Sequence, residues 1–518
     1  MRESCRFCHD SSDPLAMSAR EWLPPARIRH YALCNMTRTV RETLERELKF
    51  SADTGFRLPN LPGEALAQRT FTSTYYDTTE LELAAAGITL RHRIDADKLL
   101  WQLKLPRGRA RLELEVAGEA GAVPRELADL LAARTRGREL LAGPTLQTTR
   151  RGVRFQGAGA PLADVTVDEV ATIDGDDVTD RFTEIEVELT GGDESILEVL
   201  AAQLKSAGAR ESDGRPKLFQ ALDLDIPQPP EPAPRGASLR QRLGWLIAEQ
   251  AGEITAHDPG TRLGSDPEEL HQMRVATRRL RALLRAVRPV ADRSWSEALR
   301  AELAWLGRAL GPGRDLDVLL EHLRARAAGL EPGPAEAFEP LLAKLERERA
   351  DARDAMLRAL REPRYLELLD ALDAAAERPR LVPGASGTLS SIARHEFRRF
   401  RKAVRRLPPE ATDDELHALR ILAKRARYAT EFAAHDIHQP ASHFIRSAKR
   451  LQDILGVNQD ARVCEERLLQ LRADAQTPDG TAAVDSLLKH ERARQRGARV
   501  RYPDSIEDLL GRGKETWR

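Results

Sequence analysis

Residues 44–50 read LERELKF. Side chains alternate across a β-strand, so Glu45, Glu47 and Lys49 share one face and Leu44, Leu48 and Phe50 the other, with Arg46 on the apolar side. The alternation recurs before residue 190. Arg91 and Arg93 oppose Leu90 and Ile94, and Gln102 and Lys104 oppose Trp101, Leu103 and Leu105. Arg111, Glu113 and Glu115 oppose Leu112, Leu114 and Val116; Arg150 and Arg154 oppose Val153 and Phe155. Asp164 and Asp168 oppose Val165 and Val167, and Glu184, Glu186 and Glu188 oppose Ile185, Val187 and Leu189. Turn-like segments (DGDD at 174–177, GGDE at 191–194) separate some of these runs, and helices are expected over 124–142 and 194–207. This half therefore reads as α+β with a mainly antiparallel sheet.

On a single strand, such charges would merely cover the wet face of a half-buried sheet. Seven strands with almost only Arg, Lys, Glu and Asp on that face point elsewhere. If the sheet closes, these faces converge inside a barrel, where buried charge of both signs is costly unless ligands and ions compensate it. Paired carboxylates suit a hard divalent cation such as Mg2+ or Mn2+. Interleaved Arg and Lys suit phosphate oxygens. A polyanion with its metal satisfies both sets. No glycine-rich phosphate loop and no GxGxxG is present, and no Ser/His/Asp or Cys/His nucleophile set is evident.

The ordered motifs resemble the CYTH domain, the fold of the triphosphate tunnel metalloenzymes. ERELK at 45–49 is similar to its ExExK signature; LRHR, QLKLP, RLELEV, VDE and EIEVEL follow in the family's order, and RPKLF at 215–219 resembles its closing Lys motif. The resemblance spans roughly residues 37–222. It implies an eight-stranded antiparallel tunnel that binds a linear triphosphate and hydrolyses it with Mg2+ or Mn2+, or in one branch cyclises ATP. It implies Glu45, Glu47, Glu115, Asp168, Glu186 and Glu188 as metal ligands, with Glu113 and Glu184 as register alternatives. Lys49, Arg91, Arg93, Lys104, Arg154 and Lys217 would hold phosphate oxygens, with Arg111, Arg150 and Arg210 as further candidates. Lys49, Glu45 and Glu47 would stand at the catalytic centre.

A boundary follows. Residues 226–236 read IPQPPEPAPRG, with five prolines between Pro227 and Pro234, which suits a stiff extended spacer. Beyond it strands vanish. Residues 236–518 hold 50 basic and 43 acidic residues, net +7; residues 1–235 hold 31 and 38, net −7. Opposite signs suggest different tasks. LHQMRVATRRLRALL (270–284) matches LHALRILAKRARYAT (416–430): His271, Arg274, Arg278, Arg279 and Arg281 pair with His417, Arg420, Lys424, Arg425 and Arg427 at an offset of 146. RALGPGRDLDV (308–318) resembles DILGVNQDARV (453–463) at an offset of 145. On a helix His271, Arg274, Arg278 and Arg281 form one stripe, as do His417, Arg420, Lys424 and Arg427. A solvated face or ion pairs with neighbouring helices explains one stripe; few acids stand at i±4 to neutralise either, and a repeated stripe of like charge suggests an anionic partner.

This half resembles the CHAD domain, a conserved-histidine α-helical domain, over roughly 238–510, including both stripes and both Leu-Gly turns. The resemblance implies two four-helix bundles related by pseudo-two-fold symmetry, with inorganic polyphosphate in a basic groove. His271, Arg274, Arg278, Arg281, His417, Arg420, Lys424 and Arg427 would bind it, and Arg308, Arg314, Arg398, Arg401, Arg405, Arg446 and Lys449 extend the candidates.

The 518 residues give two to four domains at roughly 100–200 residues each. There is no run of about 18 apolar residues to suggest a membrane span, no signal-peptide pattern, and four cysteines are too few for a disulfide framework. Cys5, Cys8 and His9 spell a haem-attachment pattern that is read as coincidence. No base-specific nucleic-acid motif is identifiable. The expected organisation is an extension over 1–36, disordered or outside the true start at Met36; a tunnel domain over 37–224; a linker over 225–237; and a helical domain over 238–512. The expected activity is metal-dependent hydrolysis of tripolyphosphate to pyrophosphate and phosphate, in the cytoplasm and at polyphosphate granules. An adenylate cyclase, a thiamine or nucleoside triphosphatase, and a non-catalytic polyphosphate binder stand as alternatives. Oligomeric state is not legible.

Overall fold

The computed structural model describes residues 29–31, 39–108, 110–157, 160–228, 231–234, 236–384, 387–437 and 439–517. They fall into two compact units, one before and one after residues 229–230.

The first unit is an eleven-stranded, wholly antiparallel sheet with three helices. Its strands are β1 (Arg29–Tyr31), β2 (Val40–Glu45), β3 (Glu47–Ala52), β4 (Gly63–Asp77), β5 (Thr89–Asp95), β6 (Lys98–Arg107), β7 (Ala110–Ala117), β8 (Leu141–Gly157), β9 (Ala160–Asp174), β10 (Asp177–Leu189) and β11 (Arg210–Glu211). The hydrogen-bonded order is β1-β2-β7-β6-β5-β4-β8-β9-β10-β3-β11. Eight strands were expected. The stretch read as the first strand is split at Arg46, so that β2 pairs with β7 and β3 with β10, and short strands β1 and β11 are added at the ends. The ladder is thus not closed by hydrogen bonds. Its two flanks are instead consecutive stretches of one chain segment, which returns the last pairing partners to the first.

Two further expectations are corrected. Arg29–Tyr31 lie in the stretch expected to be disordered but form β1, paired with Val40–Glu42; Cys5, Cys8 and His9 lie outside the described residues. The helix expected over 124–142 is α1 (Arg125–Thr135). It ends because Arg136 adopts a left-handed conformation, its N–H capping the Ala132 carbonyl, and β8 begins five residues later. Helix α2 (Ser195–Ser206) lies close to expectation, and α3 (Lys217–Ala221) carries the closing Lys motif. The apolar strand faces form the outer core. Phe50, Val165, Val167, Ile185 and Val187 pack with Leu197, Leu200 and Leu204 of α2, which leaves the charged faces turned the other way.

The second unit holds nine helices among its described residues, not eight: α4 (Leu239–Leu263), α5 (Pro267–Ala286), α6 (Arg293–Ala327), α7 (Pro332–Arg361), α8 (Pro363–Glu377), α9 (Leu389–Val404), α10 (Asp413–Ile437), α11 (Gln439–Asp474) and α12 (Pro478–Thr516). Helices α5, α6 and α7 begin at 267, 293 and 332; α10, α11 and α12 begin at 413, 439 and 478, each 146 residues later. The odd helix arises because the chain breaks between α7 and α8, at Glu362–Pro363, where α12 instead runs through Pro503. One core joins α6, α7, α11 and α12 through Leu320, Phe338, Leu345, Leu468 and Leu487. Another joins α9 to α12 through Phe397, Phe400, Leu419, Phe444 and Leu509.

The two Leu-Gly segments are not turns. Both lie inside long helices packed against a basic helix, and at Gly456, though not at Gly311, the missing Cβ leaves room for it. Arg274 Nη1 donates to the Gly311 carbonyl at 3.1 Å, and Arg420 Nη2 lies 3.4 Å from where a Cβ on Gly456 would stand. The duplication thus conserves a helix–helix contact.

Candidate functional site

Alternation along β2, β3, β5 to β8 and β10 carries their ionic side chains into one cavity of about 300 Å3. Glu45, Glu47, Lys49, Arg91, Arg93, Lys104, Glu115, Glu186, Glu188 and Lys217 all line it, as do Arg111, Glu113 and Arg150. Cross-strand register sets opposite charges side by side: Glu45 opposes Arg111, Lys104 opposes Glu113, Lys49 opposes Glu186 and Arg150 opposes Asp168.

One layer of this interior is balanced. Lys217 Nζ lies 2.5 Å from Glu184, 2.5 Å from Glu186 and 3.0 Å from Asp168. Lys49 Nζ lies 3.1 Å from Glu186 and 3.3 Å from Glu184. Arg150 donates twice to Asp168, at 2.7 and 2.6 Å, and once to Glu186 at 2.5 Å. Three cations meet three carboxylates. Burial opposes ionisation of Glu186, yet Lys217, Lys49 and Arg150 hold it well below the usual carboxylate range.

The other layer is not balanced. Burial raises Glu45 to about 8, with Lys104 opposing and the neighbouring Glu113 and Glu47 carboxylates reinforcing. Burial likewise raises Glu188 to about 7. Glu113 moves the other way: burial raises it, but Lys104, the hydrogen bond with Glu45, Arg91 and Arg93 together outweigh that and lower it to about 2. On the opposite wall the Arg93 guanidinium is lowered by burial and by Arg91 and Arg150. It stacks 3.7 Å over the Phe71 ring, and its Nε is buried without a hydrogen-bond partner among the described residues. Arg91 is held by Gln102 at 2.8 Å and the Tyr75 hydroxyl at 3.4 Å. Surplus carboxylate faces surplus guanidinium across one cavity. The carboxylates fit a hard divalent cation, since burial holds Glu45 and Glu188 raised despite Lys104, and further positive charge would favour their ionised forms.

Several expected residues fall elsewhere. Arg154 forms a bidentate pair with Asp164 and does not line the cavity; Arg150, one turn of register inward on β8, takes the place expected of it. Asp168 is fully buried behind Arg150 and Lys217. Glu184 lies beside it, and Arg210 pairs with exposed Asp53. Sequence reading missed Arg41, Arg69 and Tyr75. The last two lie on β4, which was not anticipated; alternating Phe71, Ser73 and Tyr75 was the available signal. A second cavity, about 630 Å3, shares Glu45, Glu47, Lys49, Arg111 and Pro216 with the first and adds apolar Leu48, Ala110, Ala201, Phe219 and Ile226.

In the helical unit both stripes form, with unequal fates. Arg274 pairs with Asp315 at 2.8 Å, and Arg278 donates to the Tyr428 hydroxyl at 3.1 Å, tying α5 to α10. His271 accepts from Arg314, while His417 meets Gln459 at 3.0 Å, 145 residues on from Arg314. Arg420 lies against Gly456, and Lys424 is half-buried on the same helix. Arg281 is exposed, but its repeat partner Arg427 is buried against Gln452 and Glu431. Arg281 is lowered by burial, Arg300 and Arg308; Arg285 and Arg425 are lowered by burial, Arg300 and Arg399. Guanidinium groups from α5, α6, α9 and α10 thus crowd one another around the acid Glu396. Arg308 belongs to this group; Arg398, Arg405 and Arg446 are exposed, and Arg401 and Lys449 are half-buried.

A two-unit chain of this kind, a charge-lined antiparallel sheet followed by a duplicated basic helical array, has known counterparts. The CYTH domain family matches residues 43–214 and the CHAD domain family residues 246–469. The chain carries a CYTH domain followed by a CHAD domain. The CYTH match suggests a triphosphate-acting enzyme of hydrolase or cyclase type, and CYTH domains are generally divalent-metal dependent. The chain is 29% identical over 490 residues to the uncharacterized protein Rv2226 of Mycobacterium tuberculosis (strain ATCC 25618 / H37Rv), covering 87% of this chain and 93% of that one. Among solved structures, PptA from Streptomyces chartreusis shares 24% identity over 52% of this chain and 98% of its own, with a TM-score of 0.45. The CHAD domain from the plant Ricinus communis shares 26% over 54% and 92%, with a TM-score of 0.42. No helix among the described residues is long and apolar enough to cross a membrane.

Proposed function

We propose that the first unit hydrolyses inorganic triphosphate to pyrophosphate and phosphate, and that the second binds inorganic polyphosphate. The observation that carries the reading is the strained layer: burial holds Glu45 and Glu188 raised even with Lys104 2.5 Å from Glu45, while Arg93 is lowered by burial and neighbouring guanidiniums, within one cavity. A divalent cation with its triphosphate relieves both.

Glu45, Glu47, Glu113 and Glu188 would hold Mg2+ or Mn2+, which when bound neutralises phosphate charge and polarises the reacting phosphorus. Lys49, Arg91, Arg93, Lys104, Arg111 and Lys217 grip the phosphate oxygens and stabilise charge as the P–O–P bond breaks. A lining carboxylate that the metal leaves free, such as Glu115, can take the proton of attacking water. Water adds to a terminal phosphorus, its proton passes to such a carboxylate, and pyrophosphate leaves.

A second reading rests on the larger cavity. Its apolar wall beyond Glu47 and Lys49 suits the organic group of a nucleoside or thiamine triphosphate, or of ATP in a cyclase. Phosphate release from tripolyphosphate, ATP and thiamine triphosphate with Mg2+ and Mn2+ separates the readings. The proposal expects tripolyphosphate to be turned over fastest, and Glu45→Ala or Lys49→Ala to lower the rate by orders of magnitude in folded protein. Full activity in either variant would sink it.

The crowded arginines of α5, α6, α9 and α10 support polyphosphate binding by the helical unit. Tethering such a module raises the local concentration of phosphate chains near the tunnel and would direct a cytoplasmic enzyme to polyphosphate granules. Removing residues 236–518 tests this: unchanged polyphosphate binding and localisation would refute it.

A further inference from the structure

Behind the basic face, in the core of the helical unit, lies a cluster that neither proposed activity uses. His322 of α6, Cys464 of α11 and Glu491 of α12 are all buried, and their Nε2, Sγ and carboxylate atoms lie within 4.8 Å of one another. We propose that these three residues bind a thiophilic divalent cation of the Zn2+ class, clamping the first repeat to the second.

Three observations converge. The first is the donor set. Thiolate, imidazole and carboxylate together suit Zn2+ rather than Mg2+, and a tetrahedral ion would space its ligand atoms about 3.4 Å apart, within reach of small rotamer changes here. The second is a conflict at His322. Its Nε2 lies 2.6 Å from Glu491 Oε1 and 3.1 Å from Arg494 Nη1. A protonated Nε2 donates to the carboxylate but then faces a guanidinium N–H; an unprotonated one accepts from Arg494 but turns its lone pair on the carboxylate oxygen. A cation between nitrogen and oxygen resolves the conflict, because both lone pairs then point at it. The third is the guanidinium itself. Arg494 reaches Glu491 at 2.5 Å as well as His322, so positive charge already stands where the two ligands converge. Arg494 is only part-buried, unlike the three ligands, and can withdraw toward water when the ion enters.

The charges balance. The Cys464 proton leaves to solvent, and one thiolate and one carboxylate neutralise the divalent ion, so the Arg494 guanidinium, whose side chain is 10% exposed, must turn to water as it gives up Glu491. Water takes the fourth position. The expected effect is structural: helices from both halves of the duplication are held by one ion.

The test uses the full chain with Cys5, Cys8 and Cys34 changed to Ser, so that Cys464 is the sole thiol, and Co2+ as the probe. The expected result is one equivalent of Co2+ with a thiolate-to-cobalt charge-transfer band, displaced by Zn2+ and absent in Cys464→Ser. Cobalt bound by tunnel carboxylates gives no such band. His322→Gln should weaken the band-forming site at least tenfold, and Arg494→Met should tighten it by removing the competing cation. Chelation should lower the melting temperature of the helical unit by about 5 °C in the parent chain and leave Cys464→Ser unmoved. No thiolate band in folded protein, a band that survives Cys464→Ser, or loss of binding in Arg494→Met overturns the proposal. Should Cys464→Ser not fold, His322→Gln carries the same decision.

Discussion

Lys217→Met removes one of three cations set against three buried carboxylates. In the native cavity Lys217, Lys49 and Arg150 oppose Asp168, Glu184 and Glu186, and the carboxylate side chains are between 0% and 13% exposed, so solvent screens little of the imbalance. Breaking a buried pair by removing one partner costs about 3–5 kcal/mol. For a unit of this size each kcal/mol is about 2–4 °C, so its transition should fall by roughly 6–20 °C in metal-free buffer. The pH dependence has a definite sign. The orphaned carboxylate binds a proton in the folded state more tightly than in the unfolded one, so the deficit is greatest above neutral pH and shrinks toward pH 5. Adding Glu184→Gln restores three-against-three neutrality to two-against-two, and the double variant should be more stable than Lys217→Met alone. Calorimetry of the full chain at pH 5 and pH 8 follows both. A loss below about 1 kcal/mol, or a double variant as damaged as the sum of its singles, would show that the cations do not neutralise this layer.

In the metal-free protein the carboxyls of Glu45 and Glu188, raised from 4.5 to about 8 and about 7, bind protons that the unfolded chain releases. The tunnel unit should therefore lose stability as pH rises from about 4.5 to 8, and saturating Mn2+ should abolish the loss; thermal melts across that range decide it. Arg93→Ala should raise KM for tripolyphosphate about 10- to 100-fold, whereas Arg154→Ala, whose partner is Asp164 outside the cavity, should stay within about twofold in steady-state kinetics. In the helical unit, Arg281→Glu should weaken polyphosphate binding more than Arg427→Gln, since only Arg281 is exposed; binding isotherms at fixed salt compare them.

The period-two pattern made the charged strands legible because one face of each is nearly all ionic and the other nearly all apolar. β4 escaped because residues 63–70 (GEALAQRT) are almost all exposed and mix small, apolar and polar residues without alternation, and only its inner half alternates. The break at Arg46 escaped for a different reason: pairing partners are non-local, and no local signal says that Glu45 will pair toward β7 while Glu47 turns toward β10. In the helical half, exact repetition exposed the duplication, but a repeated residue need not keep a repeated role. Arg281 and Arg427 match in sequence, yet Glu431, four residues on along the same helix where the first repeat has Arg285, and Gln452 of α11 bury the second in a polar network. The Leu-Gly pairs read as turns because glycine usually marks them; here both are helical, and helix packing uses the missing Cβ at Gly456 only.

The two charge layers of the tunnel differ in their need for a ligand, although Lys49 and Lys217 of the first also reach the cavity. Where Lys217, Lys49 and Arg150 meet Asp168, Glu184 and Glu186, the charges cancel without help, so the layer can fold before any ligand arrives. Where Glu45, Glu113 and Glu188 stand with Lys104, Arg91 and Arg93, burial outweighs the pairing at Glu45 and Glu188, and the folded chain bears that cost in the metal-free state. A neutralising substitution should therefore act oppositely in the two layers. Glu188→Gln removes a surplus carboxyl and should stabilise the metal-free protein at pH 8 while weakening metal affinity. Glu186→Gln strips a partner from three cations and should destabilise at every pH above the carboxylate range. Side by side, melting temperature and Mn2+ affinity should move in opposite directions for the first and fall together for the second. If both variants lose stability alike, Glu188 belongs to the neutralised layer and the division between the layers fails.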